Sequence, residues 1–305
     1  MSSNPTVIAD TASSRKAYLL LTITTLCWGC NAIFSRLAVG EVSPMTLVTL
    51  RWITVMVLVF FLAQRHVRRD WSILKPRLPF IMTIGAIGFT GFNSLFYVAA
   101  HSTTAVNIGI IQGSIPVIVL MAAFLIFRTP VTLAQIVGVI LTIVGVILVG
   151  AGGSLERLTS LAFNFGDLLM LIACSLYAAY TLALRNKPDV AALSLFAVLA
   201  FSAFLTSLPL VAGEIALGQF QAPTLTGWVL IGCIAILPSF LAQICFINGV
   251  SIIGPGRAGI FVNLVPVFAA IFAVFFLGEP FELYHGIALT LVLGGIGLAE
   301  AGKKK

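Results

Sequence analysis

Charge is what this sequence has least of. Lys, Arg, Asp and Glu together make up 9% of its 305 residues, against 60% hydrophobic. A soluble domain carries about 25% charged residues, so this chain has too little polar surface to cover itself in water. Its mean hydropathy of +1.12 says the same. Cysteine is scarce too. Cys27, Cys30, Cys174, Cys233 and Cys245 all fall inside apolar runs, which excludes a disulfide framework in exposed loops. Cys27-x-x-Cys30 lacks a βαβ context and a second Cys/His pair, so neither redox chemistry nor a metal is expected there. His66, His101 and His285 are scattered, with no partner at catalytic spacing. No Ser/His/Asp set, H-E-x-x-H or phosphate-binding glycine loop occurs. An intramembrane enzyme needs a nucleophile–base pair or metal ligands within its apolar segments. None is present, and no catalytic residue, metal or cofactor is expected.

What the chain does have is long apolar runs. A spanning helix needs about 20 mostly apolar residues. Ten candidates meet that standard: 17–38, 44–63, 79–100, 103–127, 130–150, 163–185, 189–212, 224–249, 254–277 and 281–299. Breakers separate them, among them Ser43-Pro44, Pro76, Thr129-Pro130, Pro188-Asp189, Gly254-Pro255 and Glu279-Pro280. Residues 1–16 are polar and include Asp10, unlike a cleaved signal peptide, and read as a disordered cytoplasmic tail. Residues 300–305 read as a basic cytoplasmic tail. The longest loop is 64–78. The expected fold is an all-α polytopic membrane protein with ten transmembrane helices.

The net charge of +7 is no nucleic-acid signal, because its placement follows the membrane. With the N-terminus inside, 14 of 17 Lys and Arg fall on the cytoplasmic side, including Arg65, Arg68, Arg69, Arg128, Arg185, Arg257 and Lys303. The outer side keeps Arg36 and Arg157 but carries Glu41, Glu156, Glu214, Glu279 and Glu282. Both termini are expected in the cytoplasm, with 39–43 and 213–223 outside.

The chain also repeats itself. At an offset of 150, Pro116 falls on Pro266, Gly145 on Gly295, Gly109 on Gly259, Asn93 on Gln243 and Phe96 on Phe246. Near the start the offset is 149, pairing Trp28 with Tyr177 and Arg36 with Arg185. Five spans per copy is an odd number, so the second copy enters the membrane upside down. Residues 17–150 and 151–299 are expected to form two inverted five-helix repeats about an axis in the membrane plane, as in many secondary transporters.

Uncharged polar groups cluster near mid-membrane. Thr24, Trp28, Asn31 and Ser35 share one helix face, as do Asn93 and Tyr97, with Thr90 a turn earlier. Asn107, Gln112, Tyr177, Ser239, Gln243, Phe246 and Asn263 complete the set. Such groups avoid lipid and either line a cavity or join helices through hydrogen bonds. The candidate substrate-binding residues are Trp28, Asn31, Asn93, Tyr97, Asn107, Gln112, Tyr177, Gln243, Phe246 and Asn263. Pro116 and Pro266, as helix-interior prolines, are expected to kink their helices there and free the carbonyls of residues 112 and 262. Arg51 either pairs with Glu41, snorkels outward, or holds a substrate carboxylate. Asp167 and Glu282 fall in terminal turns near the outer interface, where water keeps a carboxylate ionised.

These residues carry a family resemblance. Trp28-Gly29 with Asn31, Leu50-Arg51-Trp52, the Pro116–Pro130 block and the Pro266 to Glu279-Pro280 block resemble the ten-helix EamA-type branch of the drug/metabolite transporter superfamily, over 17–299. Within it the chain looks most like bacterial exporters of aromatic and other amino acids. The resemblance implies a bacterial inner-membrane secondary transporter that exports small, partly apolar metabolites, amino acids foremost, by alternating access around a neutral cavity. Its partners would be a small-molecule substrate and the bilayer. The superfamily also contains carriers of sugar phosphates, nucleotide sugars and drugs. Phosphate recognition favours several Arg or Lys in the cavity, and only Arg51 is near. Ten helices can enclose a cavity alone, so a functional monomer is expected.

Overall fold

The structure is a computed structural model that describes residues 5–128, 131–154, 156, 164–253 and 261–302. Thr129, Pro130, Arg157, Pro255, Arg257, Gly259 and Lys303, all used in the sequence argument, lie outside these. Among the described residues every regular element is helical: α1 Pro5–Leu37, α2 Pro44–Leu74, α3 Leu78–Gly85, α4 Phe92–Ala99, α5 Ala105–Gln112, α6 Ile115–Phe127, α7 Leu133–Gly150, α8 Phe165–Ala183, α9 Ala192–Ala216, α10 Leu225–Ile234, α11 Ala242–Ile253, α12 Val265–Leu277 and α13 Leu283–Ala301. Among the described residues six apolar helical stretches are long enough to cross a membrane, with three shorter ones beside them. This is an integral membrane protein.

Three expected boundaries shift. The first helix is already helical at Pro5, where an unstructured tail was expected. The expected loop 64–78 is mostly helix, since α2 runs on to Leu74 and only Lys75–Arg77 make a short 3₁₀ turn. Arg65, His66, Arg68 and Arg69 are charged or polar yet good enough helix formers to extend α2 past its apolar part. The chain does reverse at that turn. Arg51 bonds Asn93 and Tyr97, which a straight helix would hold about 60–70 Å apart.

The third shift concerns the prolines. The interruption takes the form of a two-residue turn at Gly113-Ser114, both still in right-handed helical dihedrals, after which α6 starts at Ile115. Pro116 therefore occupies the first turn of a new helix, where its missing N–H costs nothing. The second half repeats the device at Asn263-Leu264, with Pro266 in the first turn of α12. Both helices end on a left-handed residue, Arg128 (φ 51°) and Gly278 (φ 64°), again 150 positions apart.

A second repeated irregularity was not legible from periodicity. The helical run α3–α4 is interrupted by a π-helical turn at Ala86–Gly91, and α10–α11 by another at Ala235–Leu241 containing Pro238. Such turns widen a helix and re-aim its side chains. The 150-residue offset pairs Gly88 with Pro238, a breaker on each side.

Small residues set the packing. α7 runs along α13 so closely that a Cβ on Gly138 would sit 2.4 Å from the Gly295 carbonyl oxygen, and one on Gly145 2.9 Å from that of Ala288. Gly138 and Ala288 are equivalent positions, as are Gly145 and Gly295, so the two contacts are exchanged copies of each other. α2 and α9 form the other long pair, joined by Thr49 Oγ1 donating to the Ser207 carbonyl at 3.4 Å.

Candidate functional site

The two π turns and the two breaks meet around one chamber of about 120 Å³. Gly88 and Phe89 come from one π turn, Pro238 and Ser239 from the other; Gln112, Gly113, Ile115 and Pro116 line it beside one break, Val262, Asn263, Val265 and Pro266 beside the other. Asn93 and Gln243, and Trp28 and Tyr177, complete the wall as further equivalent pairs. Eight such pairs line it in all. Gln112 and Val262 each precede a proline by four residues, so neither carbonyl has a helical N–H to accept from. A second space of about 370 Å³ shares Trp28, Pro116, Tyr177 and Gln243 with the first, adds Phe246, Tyr180 and Thr181, and reaches Leu184 and Ala299.

Of the residues singled out from the sequence, Trp28, Asn31, Asn93, Gln112, Tyr177, Gln243, Asn263, Pro116 and Pro266 line the chamber, and Phe246 the adjoining space. Trp28 is held by its indole N–H, which donates to the Pro238 carbonyl at 3.1 Å, and its ring packs on Phe246 at 5.4 Å. Two residues stand elsewhere. Tyr97 is buried behind the wall, accepting from Arg51 Nη1 at 2.7 Å and donating to Asn31 Oδ1 at 3.0 Å. Asn107 belongs to a separate cluster described below. Thr24, Ser35 and Thr90 donate to backbone carbonyls, Thr24 to Ala242 and Thr90 to Ala203 across helices, Ser35 to Ala32 within its own.

Arg51 neither pairs with Glu41 nor snorkels. It is 6% exposed and lines the chamber, while Glu41 accepts from the Thr224 hydroxyl. The sequence left Arg51 open between three roles because nothing local says where α2 packs. Phe89, Phe92 and Phe196 also line the chamber without having been singled out. In a chain this rich in phenylalanine, no spacing distinguishes a cavity phenylalanine from a lipid-facing one.

Asp167 is the clearest correction. It lies in the first turn of α8 but is 5% exposed, far from the solvated terminus expected. Thr103 Oγ1 donates to it at 2.5 Å and Asn107 Nδ2 at 3.3 Å. Asn107 Oδ1 in turn lies 3.2 Å from His285 Nε2, and His285 Nδ1 accepts the Glu282 N–H at 3.0 Å. With Nδ1 an acceptor, the ring of neutral His285 donates through Nε2. Beside this cluster Glu279 caps α5, accepting from the N–H groups of Ala105 and Val106 at 2.9 and 3.0 Å, and Arg36 lies 3.8 Å from it. Helix-capping duty explains why Glu279 sits at a segment end.

Comparison with known proteins agrees with this architecture. The EamA-like transporter family model matches residues 15–151 and again residues 164–300. A Bacillus subtilis (strain 168) protein called uncharacterized transporter YyaM is 27% identical, over 92% of each chain. Another from the same organism, uncharacterized transporter YetK, is 25% identical over 95% of this chain and 88% of its own. A solved crystal structure shares the fold with a TM-score of 0.63 at 19% identity, covering 93% of this chain and 96% of that one. Two family matches that together take in nearly the whole chain make this membrane protein a member of the EamA-like transporter family.

Proposed function

We propose that the chain is a secondary transporter of ten spans, arranged as two inverted five-helix repeats, that exports small, partly apolar metabolites, amino acids including aromatic ones foremost, from the bacterial cytoplasm by alternating access. The observation that carries this reading is the chamber itself. Eight equivalent pairs from the two halves line it, as expected of a site on the axis relating inverted repeats. Breaks and π turns at matching positions on both sides supply unpaired backbone at the point where a cavity replaces lipid.

Contacts between loops support the topology. Residues 39–43 and 213–223, both assigned outside, touch where Gln221 Nε2 donates to the Gly40 carbonyl and Ser43 N to that of Gln221. On the side assigned to the cytoplasm, Asp70 accepts from Ala191 N at 2.9 Å, and Thr132 Oγ1 donates to the Gly302 carbonyl at 3.0 Å. In a cysteine-free background, a membrane-impermeant thiol reagent added to intact cells is expected to label Gln219→Cys and spare Lys75→Cys. The reverse pattern would invert the assignment.

The substrate reading is tested by counterflow in proteoliposomes. Labelled phenylalanine is expected to exchange against unlabelled amino acids and not against sugar phosphates. Exchange with sugar phosphates alone would favour the polyanion carriers. Among the described residues the wall argues against them with a single charged lining residue, Arg51, where phosphate sites gather several.

A further inference from the structure

Among the described residues the chamber wall holds one formal charge and no counter-ion. Arg51 Nε donates to Ser239 Oγ at 2.7 Å, and Nη1 to Asn93 Oδ1 at 2.5 Å and Tyr97 Oη at 2.7 Å. All three acceptors are neutral. Among the described residues no carboxylate comes within 4 Å of this guanidinium; the ion pairs are Arg36–Glu279 and Arg69–Asp70. Nor is the wall free to rearrange. Ser239 spends its own proton on the Ile234 carbonyl at 2.5 Å, Asn93 Nδ2 donates to the Phe89 carbonyl at 2.5 Å, and Tyr97 donates to Asn31 at 3.0 Å. Each acceptor is thereby oriented with a lone pair toward the guanidinium, which is held in place and, as an arginine, stays cationic. Its Nη2 makes no hydrogen bond to any described residue.

A second unpartnered donor lies next in sequence. Trp52 also lines the chamber, and its buried indole N–H finds no acceptor. Its ring is immobilised against Phe89, stacked at 5.1 Å and 4°. Burying a cation without an anion is unfavourable, and an orphaned buried N–H adds to the cost. No symmetry requires the charge, since at offsets of 149 and 150 Arg51 falls on Ala200 and Phe201 in the second half. The guanidinium also lies over the Trp52 and Tyr97 rings, 5.2 and 5.9 Å from their centroids, but no anion among the described residues meets it, and a ligand carrying a negative charge supplies what is missing.

We propose that Arg51 anchors the carboxylate of the transported substrate, and that the class carried is monocarboxylates with an apolar or aromatic body, for which the α-ammonium of an amino acid is dispensable. This rests on the transporter reading and specifies its substrate. One guanidinium neutralises one carboxylate and leaves a phosphate dianion half paired. Trp28, Phe92 and Tyr177 on the same wall suit an aromatic or aliphatic body. No lining residue among those described is an acid, so an ammonium meets only neutral acceptors there and gains far less than the carboxylate does.

The test uses the full-length protein in detergent, with four probes that share one ring and differ in charge: phenylpropionate, phenylalanine, phenylalaninamide and phenethylamine. Thermal stabilisation and displacement of labelled phenylpropionate are read for each. Phenylpropionate and phenylalanine are expected to bind with comparable affinity, and the two cationic probes about tenfold or more weaker, the worth of a charge-assisted hydrogen bond. Arg51→Gln is expected to lose the preference for the carboxylates. Should that variant not fold, the comparison of the four probes on the unaltered protein decides by itself. Equal binding of phenethylamine and phenylpropionate overturns the proposal, and so does failure of every probe. The transport reading is judged separately: proteoliposomes that exchange some solute, but not carboxylates, retain the transporter and discard the anchor.

Discussion

Asp70, near the end of α2, and Glu214, near the end of α9, cap each other's helices. Glu214 accepts from the N–H groups of Met45 and Thr46 at 2.9 and 3.0 Å at the start of α2, and Asp70 accepts from Ala191 N and Ser194 Oγ at 2.9 and 2.7 Å at the start of α9. The two longest apolar helices outside α1 are thus locked antiparallel from both ends. Each acid also sits against the positive end of its partner's helix dipole.

Glu214 makes two further bonds, from Ser43 Oγ at 2.6 Å and Thr46 Oγ1 at 2.9 Å. Glu214→Ala is expected to cost about 1–2 kcal/mol, the worth of a well-made helix cap, and Glu214→Gln less, because its amide keeps one acceptor oxygen. Unfolding in detergent micelles checks the order.

Asp70 supplies a pH prediction. The hydrogen bond from Arg69, followed by those from Ser194 and Ala191, holds its carboxyl well below the usual range, at about 2. A group whose folded value is depressed stabilises fully above its unfolded value of about 3.9. That stabilisation is lost as pH falls toward 2. The difference in melting temperature between the unaltered protein and Asp70→Asn is therefore expected to stay constant from neutral pH to about pH 5 and to shrink below about pH 4. A difference that persists undiminished at about pH 2 would contradict the assignment.

Glycines in similar helical settings should behave in opposite ways. Gly138 and Gly295 face each other's carbonyls, whereas a Cβ on Gly294 or Gly297 meets nothing within 4 Å. Gly138→Ala is expected to force α7 from α13 and lower the melting temperature, and Gly294→Ala to leave it unchanged or raise it slightly, since alanine is the better helix former. Equal effects at the two positions would remove close packing as the reason for Gly138.

Energy coupling is testable at Asp167. Among the described residues no acid lines the chamber, and Asp167 stands apart in the Thr103–Asn107–His285 cluster. Uptake of an accepted substrate into proteoliposomes is expected to persist without an imposed pH gradient, in the unaltered protein and in Asp167→Asn alike. Uptake that vanishes without the gradient, and a variant that no longer responds to it, would move coupling into that cluster.

The sequence by itself determined the class of molecule and the 150-residue offset at which its residues recur. Those features are carried by composition and by residues such as Pro116 and Pro266, whose register survives independently of how helices pack. It also placed Trp28, Asn93, Tyr177 and Gln243 among the candidates, because polar and amphipathic groups in apolar runs have few places to go. Only the tertiary structure decided what a three-dimensional neighbour decides. Arg51 is an interfacial cation or a chamber wall according to whether Ser239, 188 residues away, packs beside it. Asp167 is solvated or buried according to whether Thr103 and Asn107 cover it. Helix breaks at 113–114 and π turns at 86–91 and 235–241 escaped because periodicity reports an average over a turn or more, while a backbone defect is one residue out of step with it.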